Sequence, residues 1–111
     1  MKNMAKEKAM GLLDLLKGPD INKGVEEYQK TEGAMLIDVR TPSEYAEGNI
    51  PGSKNVPLQN IESIKEVAPV KDTPLFVYCL SGGRSSAATK KLKQMGYSDV
   101  NNIGGISGYR G

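Results

Sequence analysis

The stretch from Leu75 to Met95 constrains the fold of this chain more than any other. Leu75-Phe76-Val77-Tyr78 is an apolar run containing valine and aromatics, the pattern of a strand buried on both faces. Pro74 precedes it, a position where a strand loses no ladder hydrogen bond. The only cysteine of the chain, Cys79, comes next, followed by Leu80-Ser81-Gly82-Gly83-Arg84-Ser85. Gly82 and Gly83 permit positive φ and close backbone approach. Ser85 is the expected N-cap of a helix over Ser86 to Met95, and Gly96 is a natural stop. This order puts a thiol where a buried strand ends and a helix begins. In an open α/β sheet that edge is where ligands bind.

The remaining segments alternate in the same way. Met1 to Lys17 carries Met10, Leu13 and Leu16 on one helical stripe and stops at Gly18-Pro19, so a helical extension is expected over 1–18 and a domain over 19–111. Asn22 is the expected cap of a helix through Gln29, with Val25 and Tyr28 facing inward. Ala34 to Val39 reads as a buried strand, with Asp38 and Arg40 at its C-terminal end. An acid next to an arginine there is expected to form a structural ion pair near the site. Thr41, Pro42 and Glu44 spell a capping box with proline at N1, opening a short helix to about Glu47. Asn55-Val56-Pro57 reads as a short strand, and Leu58, Ile61, Ile64 and Val67 mark one amphipathic helix. Tyr97 to Ile103 supplies the last strand. Gly104-Gly105 then suggests backbone packed under another loop, the cysteine loop included, or a flexible tail. Alternation of this kind implies a parallel sheet with helices on both faces.

The chemistry expected at Cys79 follows from its position. A helix N-terminus offers unpaired N–H groups and a partial positive charge. Both favour the thiolate, which is the nucleophilic form. Inward-pointing amides from Leu80 to Ser85 would form an anion nest, and Arg84 adds a forked cation. The expectation is a charged, accessible sulfur inside a positive bowl. The competing reading is a small buried hydrophobe.

Composition narrows the classes further. A chain of 111 residues suffices for one domain with a core. A net charge of +2 gives no case for nucleic-acid or membrane binding. Histidine is absent, so no Ser-His or Cys-His dyad can form. One Cys and no His cannot close a tetrahedral zinc set, and neither a metal nor another cofactor is expected. A lone cysteine forms no internal disulfide, and no apolar leader or span is evident, so a cytoplasmic location is expected.

Three separated segments, in order, resemble rhodanese-like domains. They are Ile37-Asp38-Val39-Arg40-Thr41-Pro42-Ser43-Glu44-Tyr45 with Gly48 to Ser53, then Cys79 to Ser85, then Gly96-Tyr97 with Gly104-Gly105-Ile106. The resemblance spans roughly Asp20 to Tyr109. It implies a sheet of about five parallel strands and a sulfurtransferase working without a cofactor. Cys79 would carry a persulfide taken from thiosulfate or another donor and pass it to a thiol or cyanide. Leu80, Ser81, Gly82, Gly83 and Ser85 would cradle the added sulfur, and Arg84 would help hold the anionic donor. A protein donor or acceptor is a further implied partner, with the domain acting as a persulfide carrier. Where the family commonly has His and Trp, this chain has Asn49 and Tyr109. Cysteine phosphatases and arsenate reductases are the other class considered. Phosphatase loops place one more residue between Cys and Arg than the Leu80–Gly83 segment does here.

Overall fold

A computed structural model describes residues 18–111; the helix expected over Met1–Lys17 lies outside the described residues. Four parallel strands form one sheet: β1 (Met35–Asp38), β2 (Ser53–Asn55), β3 (Leu75–Cys79) and β4 (Val100–Gly105), in the order β2-β1-β3-β4. Three of them fall on segments whose residues read as strands, and β2 lies just ahead of the fourth, sharing Asn55 with it. The expected count of about five is one more than the four strands the described residues contain.

Strand periodicity divides the core into two layers. Leu36, Phe76 and Tyr78 point to one face and pack with Ile21, Val25 and Ile103. Ile37, Leu75, Val77 and Cys79 point to the other and pack with Ile61, Ile64, Ala88 and Leu92. Each fully buried aliphatic side chain contributes about 1.5–3 kcal/mol. Helix α1 (Ile21–Lys30) covers the first face. The second is covered by α4 (Gly83–Gln94) together with a 3-10 segment, Leu58–Ser63, and the single turn α3 (Ile64–Val67). Helix α2 (Pro42–Glu47) follows β1.

Several local expectations need correction. The cap of α1 is Asp20, whose carboxylate accepts from Asn22 N at 3.0 Å. Asn22 lies within the helix and clasps the C-terminal segment instead, donating to Gly108 O at 3.0 Å and accepting from Arg110 N at 2.9 Å. The second strand pairs over Ser53–Asn55, ahead of Pro57, because Val56 N and Leu58 N already turn to the carbonyls of Asp38 and Val39. The expected single helix over 58–67 is broken at Asn60, where φ is -117° and ψ is 31°. The capping box at α2 is present: Thr41 Oγ1 accepts from Glu44 N at 3.2 Å, and Glu44 Oε1 accepts from Thr41 N at 2.9 Å.

The strand order reverses between β1 and β3, so the loops leaving these two strands diverge at that point. In open α/β sheets ligands bind in the crevice between such loops. One loop leads to α2 and the other is the cysteine loop.

Candidate active site

Cys79 is the last residue of β3, on the face covered by α4. Gly82, at φ 110°, turns the chain sharply and serves as the N-cap of α4. The helix therefore starts earlier than expected. Ser85 is not the cap but the third helical residue, where its N–H has no partner within the helix. That amide donates to Cys79 Sγ at 3.3 Å, and Gly82 N donates at 3.0 Å. The Ser85 hydroxyl lies 3.4 Å from the sulfur. Burial, the largest influence, pushes the thiol up. The Ser85 hydroxyl and the amides of Ser85, Gly82 and Ser81 together outweigh it and bring the thiol below its ordinary value.

The sulfur is covered rather than open: Cys79 is 1% exposed. The loop closes over it because the Gly82 turn aims backbone N–H groups at Sγ itself. Leu80, Ser81 and Gly83 are exposed on the outside of this cover. A hollow of about 440 Å³ lies next to the loop, with Ser81, Gly105, Ser107 and Arg110 in its wall.

The floor of the loop comes from β4. Gly105 has no side chain, and a Cβ there would lie 2.6 Å from Ser81 Cα and overlap Leu80 O. Ser107 N donates to Leu80 O at 3.1 Å. Gly105 is thus packed beneath the cysteine loop, whereas Gly104, at φ 102°, lies against Pro19. A bulge in β4 shifts the register between Val77 and Tyr78, which pair with Asn102 and Gly104. Bulges re-aim side chains next to sites, and this one directs Asn102 Oδ1 at the Ser85 hydroxyl, 2.7 Å away. Gly104 N donates to the same oxygen at 3.1 Å. Asn102 was not among the residues singled out from the sequence, since its role depends on an irregular register.

Arg84 departs from expectation. Its guanidinium forks onto Glu44, with Nη1 to Oε1 at 2.7 Å and Nη2 to Oε2 at 2.9 Å. Arg84 raises no unpaired charge towards a ligand in this arrangement. Hydrogen bonding to Glu44 lifts the Arg84 pKa, and the charges of Cys79 and Asp38 add to the effect. Arg84, with the amide and hydroxyl of Thr41, holds the Glu44 carboxyl down at about 2. Glu44 was legible as a capping residue but not as the partner of a residue on another loop.

Asp38 and Arg40 pair beside this site. Arg40 Nη2 donates to Asp38 Oδ2 at 2.7 Å and to Gly48 O at 2.7 Å, while Arg40 N donates to Asp38 Oδ1 at 2.9 Å. Both side chains are buried. The Asp38 hydrogen bond raises the Arg40 pKa. The pair fastens the exit of β1 to the turn after α2.

Fold and loop together define an α/β domain with an acidified thiol at the switch point of a parallel sheet. The model of the rhodanese-like domain matches residues 22–111. A sulfurtransferase of Allochromatium vinosum is 43% identical over 77 residues, covering 68% of this chain and 71% of that protein. The thiosulfate sulfurtransferase PspE of Escherichia coli is 39% identical over 71 residues, covering 63% of this chain and 68% of that protein. Among solved structures, a rhodanese with anions from E. coli superposes with a TM-score of 0.65 at 37% identity, over 68% of this chain and 89% of that one. This chain belongs to the rhodanese-like family and is a sulfurtransferase of the rhodanese type.

Proposed function

We propose that the protein moves a sulfane sulfur from thiosulfate or another donor to a thiol or cyanide through a persulfide on Cys79. The observation that carries this reading is the set of polar donors converging on a buried sulfur: Gly82 N, Ser85 N and the Ser85 hydroxyl. A thiol serving only as a small hydrophobe has no use for them, and an apolar surround would raise its pKa rather than lower it.

The sequence of bonds follows. The Cys79 thiolate attacks the outer sulfur of thiosulfate. The new S–S bond forms on Cys79 as the old one breaks, and sulfite leaves with the bonding electron pair. The persulfide's terminal sulfur keeps one negative charge, which amides of Leu80 to Ser85 are placed to receive. Cyanide or a thiolate then takes that sulfur and returns Cys79 to its starting state. Because Cys79 is 1% exposed, both steps require the Leu80–Gly83 cover to move aside. Asp38 and Arg40 hold the neighbouring loop and take no part in bond making. No cofactor or metal is required, and a cytoplasmic location suits a free thiol.

Thiocyanate formation from thiosulfate and cyanide tests the reading, with intact-mass measurement of the protein after donor alone. Wild type should gain the mass of one sulfur and turn over. Cys79→Ser should do neither while keeping its circular dichroism. Equal turnover by Cys79→Ser would overturn the assignment.

A further inference from the structure

We propose that Glu44 is a specificity residue of this site: by neutralising Arg84 at the mouth of the loop, it disfavours doubly charged sulfur donors such as thiosulfate and favours singly charged organic hydropersulfides. The proposal rests on the sulfur-transfer reading given above.

Three observations support it. First, the Glu44 carboxylate engages both terminal nitrogens of Arg84, the same fork that would grip an oxyanion. Second, Glu44 is not a loose surface group. Its Oε1 also accepts from Thr41 N at 2.9 Å and lies 3.1 Å from Thr41 Oγ1, so the capping box of α2 holds it in place. A donor must therefore compete with an anchored carboxylate for the cation. The carboxyl, held near 2, stays ionised across the working pH range. Third, the other charges at the switch point cancel as well, because Asp38 is matched by Arg40. Among the described residues, Arg110 in the wall of the neighbouring hollow is offset by Asp20 in the same wall; at the sulfur itself the amide nest attracts the anion, and it suits one charge next to a thiolate better than two. Leu80, 44% exposed beside Cys79, adds an apolar surface for the carbon frame of an organic donor.

The chemistry is balanced without a further reagent. The Cys79 thiolate attacks the terminal sulfur of R–S–S⁻. The Cys79 S–S bond forms, the donor's S–S bond breaks, and the donor departs as R–S⁻.

The test variant is Glu44→Gln, since glutamine also serves at the N3 position of a capping box. Specificity constants are measured with thiosulfate and with cysteine hydropersulfide, and their ratio is compared with that of wild type. The ratio should shift towards thiosulfate by about three- to tenfold, the scale of one partly exposed charge. The shift should disappear in the Glu44→Gln/Arg84→Ala double variant. Glu44→Asp, which withdraws the carboxylate by one methylene, should shift the ratio the same way by a smaller factor, and it stands in if the glutamine variant does not fold. A ratio that stays put or falls, or a shift that persists without Arg84, overturns the role of Glu44 while leaving sulfur transfer intact. Failure of both donors to load Cys79 in wild type, read as no gain in mass, overturns both.

Discussion

The Ser85 hydroxyl has one proton and more than one place to put it. It lies 2.7 Å from Asn102 Oδ1, 3.0 Å from Gly82 O and 3.4 Å from Cys79 Sγ. With a neutral thiol the proton belongs on Asn102, and the thiol can donate to Ser85. With a thiolate the hydroxyl must turn to the sulfur and give up a neutral hydrogen bond. A bond to a charged acceptor is worth about 1.5–3 kcal/mol and a neutral one about 0.5–1.5, so the net preference for the thiolate is about 1 kcal/mol. At 1.36 kcal/mol per factor of ten, that is about fivefold in the balance between thiol and thiolate. Ser85→Ala is therefore expected to raise the titration midpoint of Cys79, while the backbone amides at positions 82 and 85 keep it below the ordinary thiol value. Asn102→Ala is expected to move it the other way, because the hydroxyl loses its best rival acceptor. The measurement is the rate of iodoacetamide alkylation against pH. The cover over the sulfur slows this rate at every pH but does not move its midpoint. The wild-type midpoint should fall below about 8.5, the ordinary thiol value. A depressed thiol also adds stability above that ordinary value, and the gain is lost as pH falls through the folded-state midpoint. Midpoints that do not separate the two variants, or that move together, would refute this account of the hydroxyl.

Other expected outcomes concern the frame of the site. Gly105→Ala places a methyl group against Leu80 O and Ser81 Cα, so it should lower stability by about 1–3 kcal/mol in urea denaturation and reduce sulfur transfer by displacing the loop. Unchanged stability and turnover would show that the loop has slack. Arg40→Ala leaves the Asp38 carboxylate buried with no cation, at a cost of about 3–5 kcal/mol in the same assay. A loss under 1 kcal/mol, the scale of an exposed pair, would mean that water reaches Asp38.

What could be read in the sequence and what could not divide along a physical line. The strands, the capping box at Thr41 and Glu44, and the thiol at a strand-to-helix junction rest on local periodicity and cap chemistry, and all are present. Ser85 is a good cap by type and so predicts a start for α4 that is too late. Gly82, with its positive φ, begins the helix first and turns the Ser85 amide towards the sulfur. The pairing of Glu44 with Arg84, 40 residues on, needs the strand order before it can be seen. Asn102 needs the bulge as well. Local propensity is silent about both.

The cysteine loop rests on β4 and on the Leu80–Ser107 hydrogen bond, so its floor is laid by a strand that follows the loop in the chain. Until that strand docks, a nascent or partly opened chain carries an unremarkable thiol. If Cys79 carries the sulfur as proposed, its reactivity doubles as a quality check: only a chain in which β4 has docked holds the thiol under its amides.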